Sequence, residues 1–246
     1  MDDAVQTVME QCELWTERND ERITIMEKSS WSLPNKFFEN NPLRTNLTAG
    51  HLSYFRMRTA FDTDLDERLT DYVYSSFVDE RKHELLDERE AIEAITDPSD
   101  IIRFMRKEID ISNRNLLCKK AVNMGGDLPD LIIDKLRTNG IDVFIECASL
   151  ILSHTDKSYI DCVANEFRQF RNGYARAQAT VLLAYRNRID ALKSMYDEYI
   201  AFRNGDHEGH ELSQTVLFSM YVVTGNMDGL DADFSDYFDD VLGEGV

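Results

Sequence analysis

The sequence predicts an all-α protein built largely from stacked antiparallel helix pairs. Glycine and proline are scarce, at 11 and 4 of 246 residues, so few breakers interrupt the helical pattern. Apolar residues recur at spacings of three and four along most of the chain. Similar segments also return about every thirty residues through the middle of the sequence. The same scarcity of breakers argues against a sandwich or barrel of short strands.

Residues 1–84 are expected to form a helical N-terminal segment. An amphipathic helix is predicted over 1–28, followed by a polar loop over 29–47 that holds two of the four prolines. A short helix is expected over 48–57, because a threonine stands where an N-cap is needed. A longer helical pattern then runs through 64–95.

The segment 85–203 repeats itself as helical hairpins. AIEAITDPSDIIRFM (91–105) aligns with AVNMGGDLPDLIIDKL (121–136) at a shift of thirty, and segments beginning at 148 and 179 continue the series. Each unit has a first helix, a short polar turn and a second helix rich in leucine and isoleucine. A small residue is expected where the first helix crosses its partner, namely Ala91, Ala121, Ala148 and Ala179. One hairpin cannot bury both of its faces, so stacking of neighbours is required.

These units resemble HEAT repeats. AVNMGGDLPDLIIDKL is similar to the family's alanine-rich first helix, Gly-Asp-Pro turn and Leu/Ile-rich second helix, and TDPSDII is similar in its turn. The resemblance covers about half of the chain. It implies a HEAT-like α-solenoid and a binding surface, and it implies no particular enzymatic activity.

The C-terminus is expected to end the stack and then change character. Residues 204–225 read as a helix that caps the last apolar face. Residues 226–246 form an acidic tail, with aromatic residues set among aspartates.

Charge and cysteine content limit the partners. The formal net charge of −19 disfavours general nucleic-acid binding and favours a basic protein partner. The four cysteines stand singly, without CxxC spacing, which predicts reduced thiols in a cytoplasmic protein. No apolar run is long enough to span a bilayer, and the acidic N-terminus does not read as a secretory signal. No cofactor and no membrane association are expected, and the oligomeric state is left open.

One run of the chain stands out against the negative charge. FRQFRNGYARAQATVLLAYRNRI (167–189) contains five arginines and no acid, namely Arg168, Arg171, Arg176, Arg186 and Arg188. One interpretation is a docking surface for carboxylates, either of a partner or of the acidic tail. The other is structural: the arginines pair with acids of the adjacent repeat and cap helix C-terminal carbonyls.

Histidines offer only weak metal-binding candidates. His207 and His210 lie in DHEGHE, but HExH lacks the HExxH spacing of zinc proteases. Glu80 and His83 form an ExxH, and no second copy exists to complete a di-iron carboxylate site. No metal site and no catalytic residue are therefore predicted.

The sequence favours recognition over chemistry. The leading hypothesis is a non-catalytic protein–protein interaction module or scaffold that uses a solenoid surface to bind a protein or peptide. A second hypothesis is an acidic inhibitor or immunity-type protein that neutralises a basic enzyme, such as a nuclease. A third is a metal-dependent helical enzyme that uses the histidines.

Overall fold

All regular structure in the described part of the chain is helical. The structure is a computed structural model, and it describes residues 50, 53–54, 56–57, 61, 79–107, 109–138, 140–205 and 207–224. This confirms the all-α prediction for those residues. The predicted helix over 1–28, the loop over 29–47 and the acidic tail at 226–246 lie outside the described residues.

Nine α-helices and two short 3₁₀ helices follow one another within residues 79–224. The α-helices are α1 (Asp79–Glu93), α2 (Pro98–Phe104), α3 (Ile111–Met124), α4 (Leu128–Thr138), α5 (Asp142–Leu152), α6 (Lys157–Glu166), α7 (Gly173–Tyr185), α8 (Leu192–Arg203) and α9 (His207–Thr224). The 3₁₀ helices are Phe167–Gln169 and Ile189–Ala191. The helix expected at 204–225 is α9, and its backbone is helical already at His207.

Two of the helices begin at side-chain caps that the sequence supplies. Asp97 accepts a hydrogen bond of 2.8 Å from the N–H of Ser99, and Pro98 occupies the first position of α2, where a missing N–H costs nothing. Asn172 accepts hydrogen bonds from the N–H groups of Tyr174 and Ala175 at the start of α7. These caps satisfy backbone donors that have no partner within the helix.

The turns use residues that tolerate a left-handed backbone. Gly125 and Gly126, between α3 and α4, have φ values of 58° and 62°. Asn187, just beyond α7, has φ of 52°, a conformation that asparagine adopts more readily than most residues. The chain can therefore reverse direction within a few residues after α3 and after α7.

The odd-numbered helices pack against one another, and each even-numbered helix packs against the odd-numbered helix that follows it. The odd-numbered helices contact one another in order, α1 against α3, α3 against α5, α5 against α7 and α7 against α9. The even-numbered helices pack on them: α2 contacts α3, α4 contacts α5, α6 contacts α7 and α8 contacts α9. Helix α4 also contacts α6. A continuous apolar core runs between these helices.

Three of the four alanines that were predicted to be buried are buried, and the first of them in the chain is not. Ala121, Ala148 and Ala179 are all buried, as the sequence predicts. Ala91 is exposed, and α1 buries Ile92 instead, so the prediction for Ala91 was wrong.

The alignment of α2 with α4 is also wrong by one residue. The alignment at a shift of thirty pairs Ile101 with Leu131, yet Leu131 is 43% exposed while Ile101 and Ile132 are fully buried. The buried positions of α2 and α4 are thus thirty-one residues apart. Adjacent apolar residues hide this difference in the sequence, because either of them could face inward.

A segment before α1 packs on the odd-numbered helices. Gly50, Tyr54 and Met57 are helical, and the side chains of Tyr54 and Met57 are buried in the core. The Tyr54 ring makes edge contacts, each at 5.9 Å between centroids, with Tyr185 of α7 and Phe218 of α9. A Cβ on Gly50 would lie 2.9 Å from the Phe218 ring, so this close approach requires glycine.

Candidate functional site

The arginine run is divided between the two ends of α7. Arg168 and Arg171 precede this helix and Arg176 lies in its first turns, whereas Arg186 and Arg188 follow its last residue. A helix of this length spans about 20 Å. The five arginines therefore form two separate groups, one near each end of the helix.

At the first end, two arginines share one carboxylate of α8. Glu198, whose side chain is 6% exposed, lies 2.5 Å from Arg176 Nε and 3.4 Å from Arg168 Nε. Arg168 also contacts Asp197 at 3.3 Å. The guanidinium of Arg176 donates to the carbonyl of Phe170. These contacts join the α6–α7 connection to α8.

At the second end, the arginines bind two carbonyls that follow α5, an aspartate of α6 and an aspartate two residues away in the sequence. Arg186 Nη1 donates to the carbonyls of Ser153 and Thr155, just past the C-terminus of α5, where positive charge is favoured. Arg188 binds both oxygens of Asp190 and reaches Asp161 of α6 at 2.6 Å. The hydrogen bonds from Arg188 lower the pKa of the Asp190 carboxyl.

These contacts match the structural interpretation of four arginines. Arg171 is the exception, because its side chain is exposed and no ion pair links it to the residues that the structure describes. Arg168 is also 45% exposed, despite its ion pairs. Docking of an external carboxylate stays a prediction, and Arg171 is the arginine best placed for it.

The candidate histidines are not brought together with other ligands. His83 is exposed on α1. The backbones of His207 and His210 lie in the first turn of α9, and their side chains are outside the description. Among the described residues, no group of three or more histidine, cysteine, aspartate or glutamate side chains is arranged to hold a metal ion.

A buried polar cluster, which the sequence analysis missed, lies between α3, α5 and α7. Arg114 of α3 is 2% exposed, and its Nη1 is 3.6 Å from Glu146 Oε2 of α5. The Tyr174 hydroxyl of α7 donates a hydrogen bond of 2.9 Å to the other oxygen of Glu146. Burial, reinforced by Glu146, raises the pKa of the Tyr174 phenol, which keeps it a hydrogen-bond donor.

A second arginine enters this cluster from the segment that precedes α1. Arg56 Nη2 donates to Asn115 Oδ1 of α3 at 3.1 Å, and Asn115 is itself buried. Burial lowers the pKa of Arg56, and the charge of Glu146 opposes that effect. Arg56, Arg114, Asn115, Glu146 and Tyr174 are hereafter called the polar core. It connects three helices of the odd-numbered layer to a distant part of the chain.

Two thiols lie next to the polar core. Cys118 of α3 and Cys147 of α5 are fully buried, on two helices that pack against each other. Arg56 and Arg114 are close enough to act on both thiols electrostatically. The expectation of free, reduced cysteines agrees with the described thiols, since Cys118, Cys147 and Cys162 form no disulfide.

One signal in the sequence points to the polar core. Glu146 is the only charged residue inside DVFIECASLIL after its first position, and a carboxylate within an apolar helix needs a buried partner. The arginines give no such signal, because Arg114 stands in ISNRN and Arg56 in HLSYFRMRT, among polar or charged neighbours. Which arginine reaches Glu146 is decided by tertiary packing.

The chemistry of the polar core favours architecture over catalysis. Glu146 already faces Arg114 and accepts a hydrogen bond from Tyr174. A buried network of this kind stabilises one arrangement of helices, because every mismatched arrangement leaves a buried charge uncompensated.

No protein-family model matches the chain, and neither a curated protein nor a solved structure gives a significant match. In the described part of the chain, every helix is too short or too polar to cross a lipid bilayer.

Proposed function

We propose that this protein is a non-catalytic interaction module built as a solenoid of helical hairpins, and that it binds a partner with a basic surface. The observation that carries the proposal is the order of packing. Successive odd-numbered helices contact one another, and the even-numbered helices pack against them. Such a stack presents an extended surface, and its usual role is recognition of another protein.

The spacing of buried residues supports a repeating unit. Each even-numbered helix, counted with the residue directly after it, buries two apolar residues four apart, and these pairs recur at spacings of 31, 31 and 32 residues. The pairs are Ile101/Met105, Ile132/Leu136, Val163/Phe167 and Met195/Tyr199. A constant spacing of equivalent buried positions is expected of a stacked array.

Polar contacts between neighbouring hairpins support the same unit length. Tyr174 and Glu146 are 28 residues apart, Arg137 and Glu166 are 29, and Arg168 and Glu198 are 30. Each of these bonds joins one hairpin to the next. Arg137 and Arg168 therefore support packing between successive units, which for Arg168 is the structural one of the two roles predicted for the arginine run.

Helix α1 provides the surface that fits a basic partner. Its sequence, DERKHELLDEREAIE, holds seven acids and three bases. Leu85 and Ile92 are buried, and α1 packs on α3, whose Asn113 donates to the carbonyl of Leu85. Leu86, Asp87, Glu90 and Ala91 are exposed. Exposed acids beside exposed apolar side chains suit a cationic, amphipathic partner surface.

The distribution of charge favours the same region. Residues 101–190 hold 14 lysines and arginines against 11 acids, so the negative charge belongs to the two ends of the chain. Helix α1 lies at one of those ends. If the basic partner is an enzyme, binding there would make this protein its acidic inhibitor, the second hypothesis from the sequence.

A pair of charge-reversed variants tests this proposal. The wild-type protein is used to capture partners from a lysate of its native host, and the captured protein is identified and titrated against each variant. Asp87→Lys with Glu90→Lys should weaken binding about tenfold or more, because complementary charges become like charges. Binding to the wild type should also weaken with added salt.

The matched control makes the same change in charge at Asp127, directly before α4, and at Asp134, within α4. Asp127 and Asp134 are both exposed, so Asp127→Lys with Asp134→Lys adds equal positive charge at a different place. This variant should retain the partner. Equal loss of binding in both variants would show a general charge effect, and unchanged binding in the α1 variant would refute the proposed surface.

A further inference from the structure

A short segment before α1 crosses the layer of odd-numbered helices. Residues 50–61, of which 50, 53–54, 56–57 and 61 are described, are called the strap from here on. Gly50 lies against Phe218 of α9, because a Cβ at this glycine would be 2.9 Å from the phenyl ring. The ring of Tyr54 makes edge contacts with Phe218 and with Tyr185 of α7. The first end of the strap is therefore held by α7 and α9.

The other end of the strap reaches α3 and the turn after α5. Arg56 Nη2 donates to Asn115 Oδ1 of α3 at 3.1 Å. The centroid of the Phe61 ring lies 3.8 Å from that of the His154 ring, which follows α5. The strap thus spans the odd-numbered layer from α9 to α3.

The anchors of the strap have the spacing of a helix that binds in a groove. Gly50, Tyr54, Met57 and Phe61 follow one another at intervals of four, three and four residues, which is the spacing of residues on one face of a helix. The first three are helical, and Phe61 lies in a turn. Tyr54 and Met57 are buried in the core. Helix-in-groove recognition uses this pattern of anchors, so the odd-numbered helices already bind an amphipathic helix of their own chain.

Two features favour release of the strap while the stack of helices remains. The odd-numbered helices contact one another directly, so their order of packing does not depend on the strap. Docking also removes the charge of Arg56 from water, and this desolvation, opposed by the charge of Glu146, lowers the pKa of the guanidinium. The cost of burying a charge offsets part of the gain from burying Tyr54 and Met57. Release of the strap therefore needs less free energy than unfolding of the whole protein.

We propose that the face of the odd-numbered helices under the strap is a docking groove for an amphipathic helix of a partner protein, and that this helix displaces the strap. The contacts of the strap define the chemistry of the partner. Its helix has a glycine, then an aromatic residue four positions later and an unbranched apolar residue three positions after that. A larger residue at the first position would collide with Phe218 and Thr215 of α9. This proposal does not rest on the acidic surface of α1.

Competition with a synthetic strap tests the proposal on the full-length protein. A labelled peptide of residues 48–62 must compete with the tethered strap, whose effective concentration is on the order of millimolar, so it should bind the wild type weakly. Gly50→Leu in the protein forces the strap away from Phe218. The same peptide should then bind at least about tenfold more tightly, as measured by fluorescence anisotropy.

Two controls identify the groove as the place where the peptide binds. A peptide that itself carries Gly50→Leu should bind neither protein, because it meets the same obstruction at Phe218. Ala201→Leu adds a leucine side chain at an exposed residue of α8, and this variant should bind the peptide as weakly as the wild type does. Tryptic cleavage after Arg56 should be faster in Gly50→Leu than in Ala201→Leu, since only the first change releases the strap.

A second variant keeps the test decisive if Gly50→Leu does not fold. Tyr54→Ala removes the ring that contacts Tyr185 and Phe218, and whichever variant keeps a cooperative melt by circular dichroism is used for the titration. If both variants lose that melt, the strap is an inseparable part of the core and the proposal is wrong. It is also wrong if the folded variant binds the peptide no more tightly than the wild type. A wild-type dimer that becomes a monomer in the variant would assign the groove to the strap of a second copy and overturn the assignment to a partner helix.

Discussion

The hydroxyl of Tyr174 on α7 donates a hydrogen bond of 2.9 Å to Glu146 on α5, the preceding odd-numbered helix. Glu146 also faces Arg114 of α3, so a single carboxylate of α5 contacts both neighbouring odd-numbered helices, α3 and α7. A charge buried at this position must be satisfied by those partners, because little water reaches it. The polar core thereby makes the relative placement of α3, α5 and α7 a condition of stability.

Removal of the carboxylate should destabilise the protein far more than removal of the phenol. Glu146→Ala leaves Arg114 buried beside a missing partner, and we expect a loss of about 3–5 kcal/mol in the free energy of unfolding. Tyr174→Phe removes one hydrogen bond and should cost about 1 kcal/mol. Urea denaturation followed by circular dichroism measures both. Similar values for the two variants would contradict the central role of Glu146.

Substitution by aspartate should destabilise the protein at a buried alanine and have little effect at an exposed one. Ala148 is completely buried in α5, so Ala148→Asp places a charge in the core and should cost several kcal/mol, about 3 or more. Ala91 was given the same role by sequence alignment but is exposed on α1. Ala91→Asp should therefore change stability by less than about 0.5 kcal/mol. Thermal melts of the two variants provide the comparison. Equal destabilisation would show that Ala91 is buried and would contradict its exposed position on α1.

The burial of Ala148 and the exposure of Ala91 show that the sequence predicts the helices more reliably than it predicts which residue of each helix faces the core. The period of the apolar residues predicts helices and turns correctly, because each position that must face the core recurs with the helical repeat. The exact inward residue is less well determined where two apolar residues are adjacent, as with Ala91 and Ile92 or Leu131 and Ile132. Packing against α3 and α5, which has no local signature, decides between them.

The polar core was beyond prediction for a related reason. Arg56 and Glu146 are ninety residues apart in the sequence, and their proximity depends on how the segment before α1 packs on α3 and α5. The arginine run shows the reverse case. Its composition is unusual, yet four of its members bind acids or carbonyls of other helices or of the turns that follow them. Composition identifies unusual residues, and only the fold identifies their partners.

Mild acid should weaken the packing around His154. This histidine follows α5, its ring lies 3.8 Å from that of Phe61, and its Nδ1 is 2.7 Å from the Ser153 hydroxyl. Burial, opposed by the Leu150 carbonyl and assisted by the charge of Arg186, lowers the pKa of His154 below its ordinary 6.5. The folded state therefore binds the proton less tightly than the unfolded state does. The stability contributed by this site is complete above about pH 6.5 and declines as the pH falls below it.

Thermal melts between pH 8 and pH 5 measure this effect. The wild type should lose melting temperature below about pH 6.5, and His154→Phe should lose less over the same interval because it has no proton to bind. The carboxylates bound to arginine contribute at lower pH, since the pKa of Asp190 is already depressed from 3.8. A steeper decline in His154→Phe than in the wild type would exclude His154 as the titrating group.

The two interpretations of the arginine run can be separated by comparing Arg176 with Arg171. Arg176 binds Glu198 at 2.5 Å and its guanidinium lies over the Phe202 ring, so Arg176→Gln should lower the free energy of unfolding by about 2 kcal/mol. Arg171 is exposed, and Arg171→Glu should leave stability unchanged within about 0.5 kcal/mol. If the run also docks carboxylates, Arg171→Glu should weaken binding of a synthetic peptide of residues 226–246 to a chain that lacks that tail. Titration calorimetry at low salt measures this binding, because such contacts are screened as ionic strength rises. Unchanged peptide affinity in Arg171→Glu, together with the stability loss in Arg176→Gln, would show that the run stabilises helix packing and does not dock carboxylates.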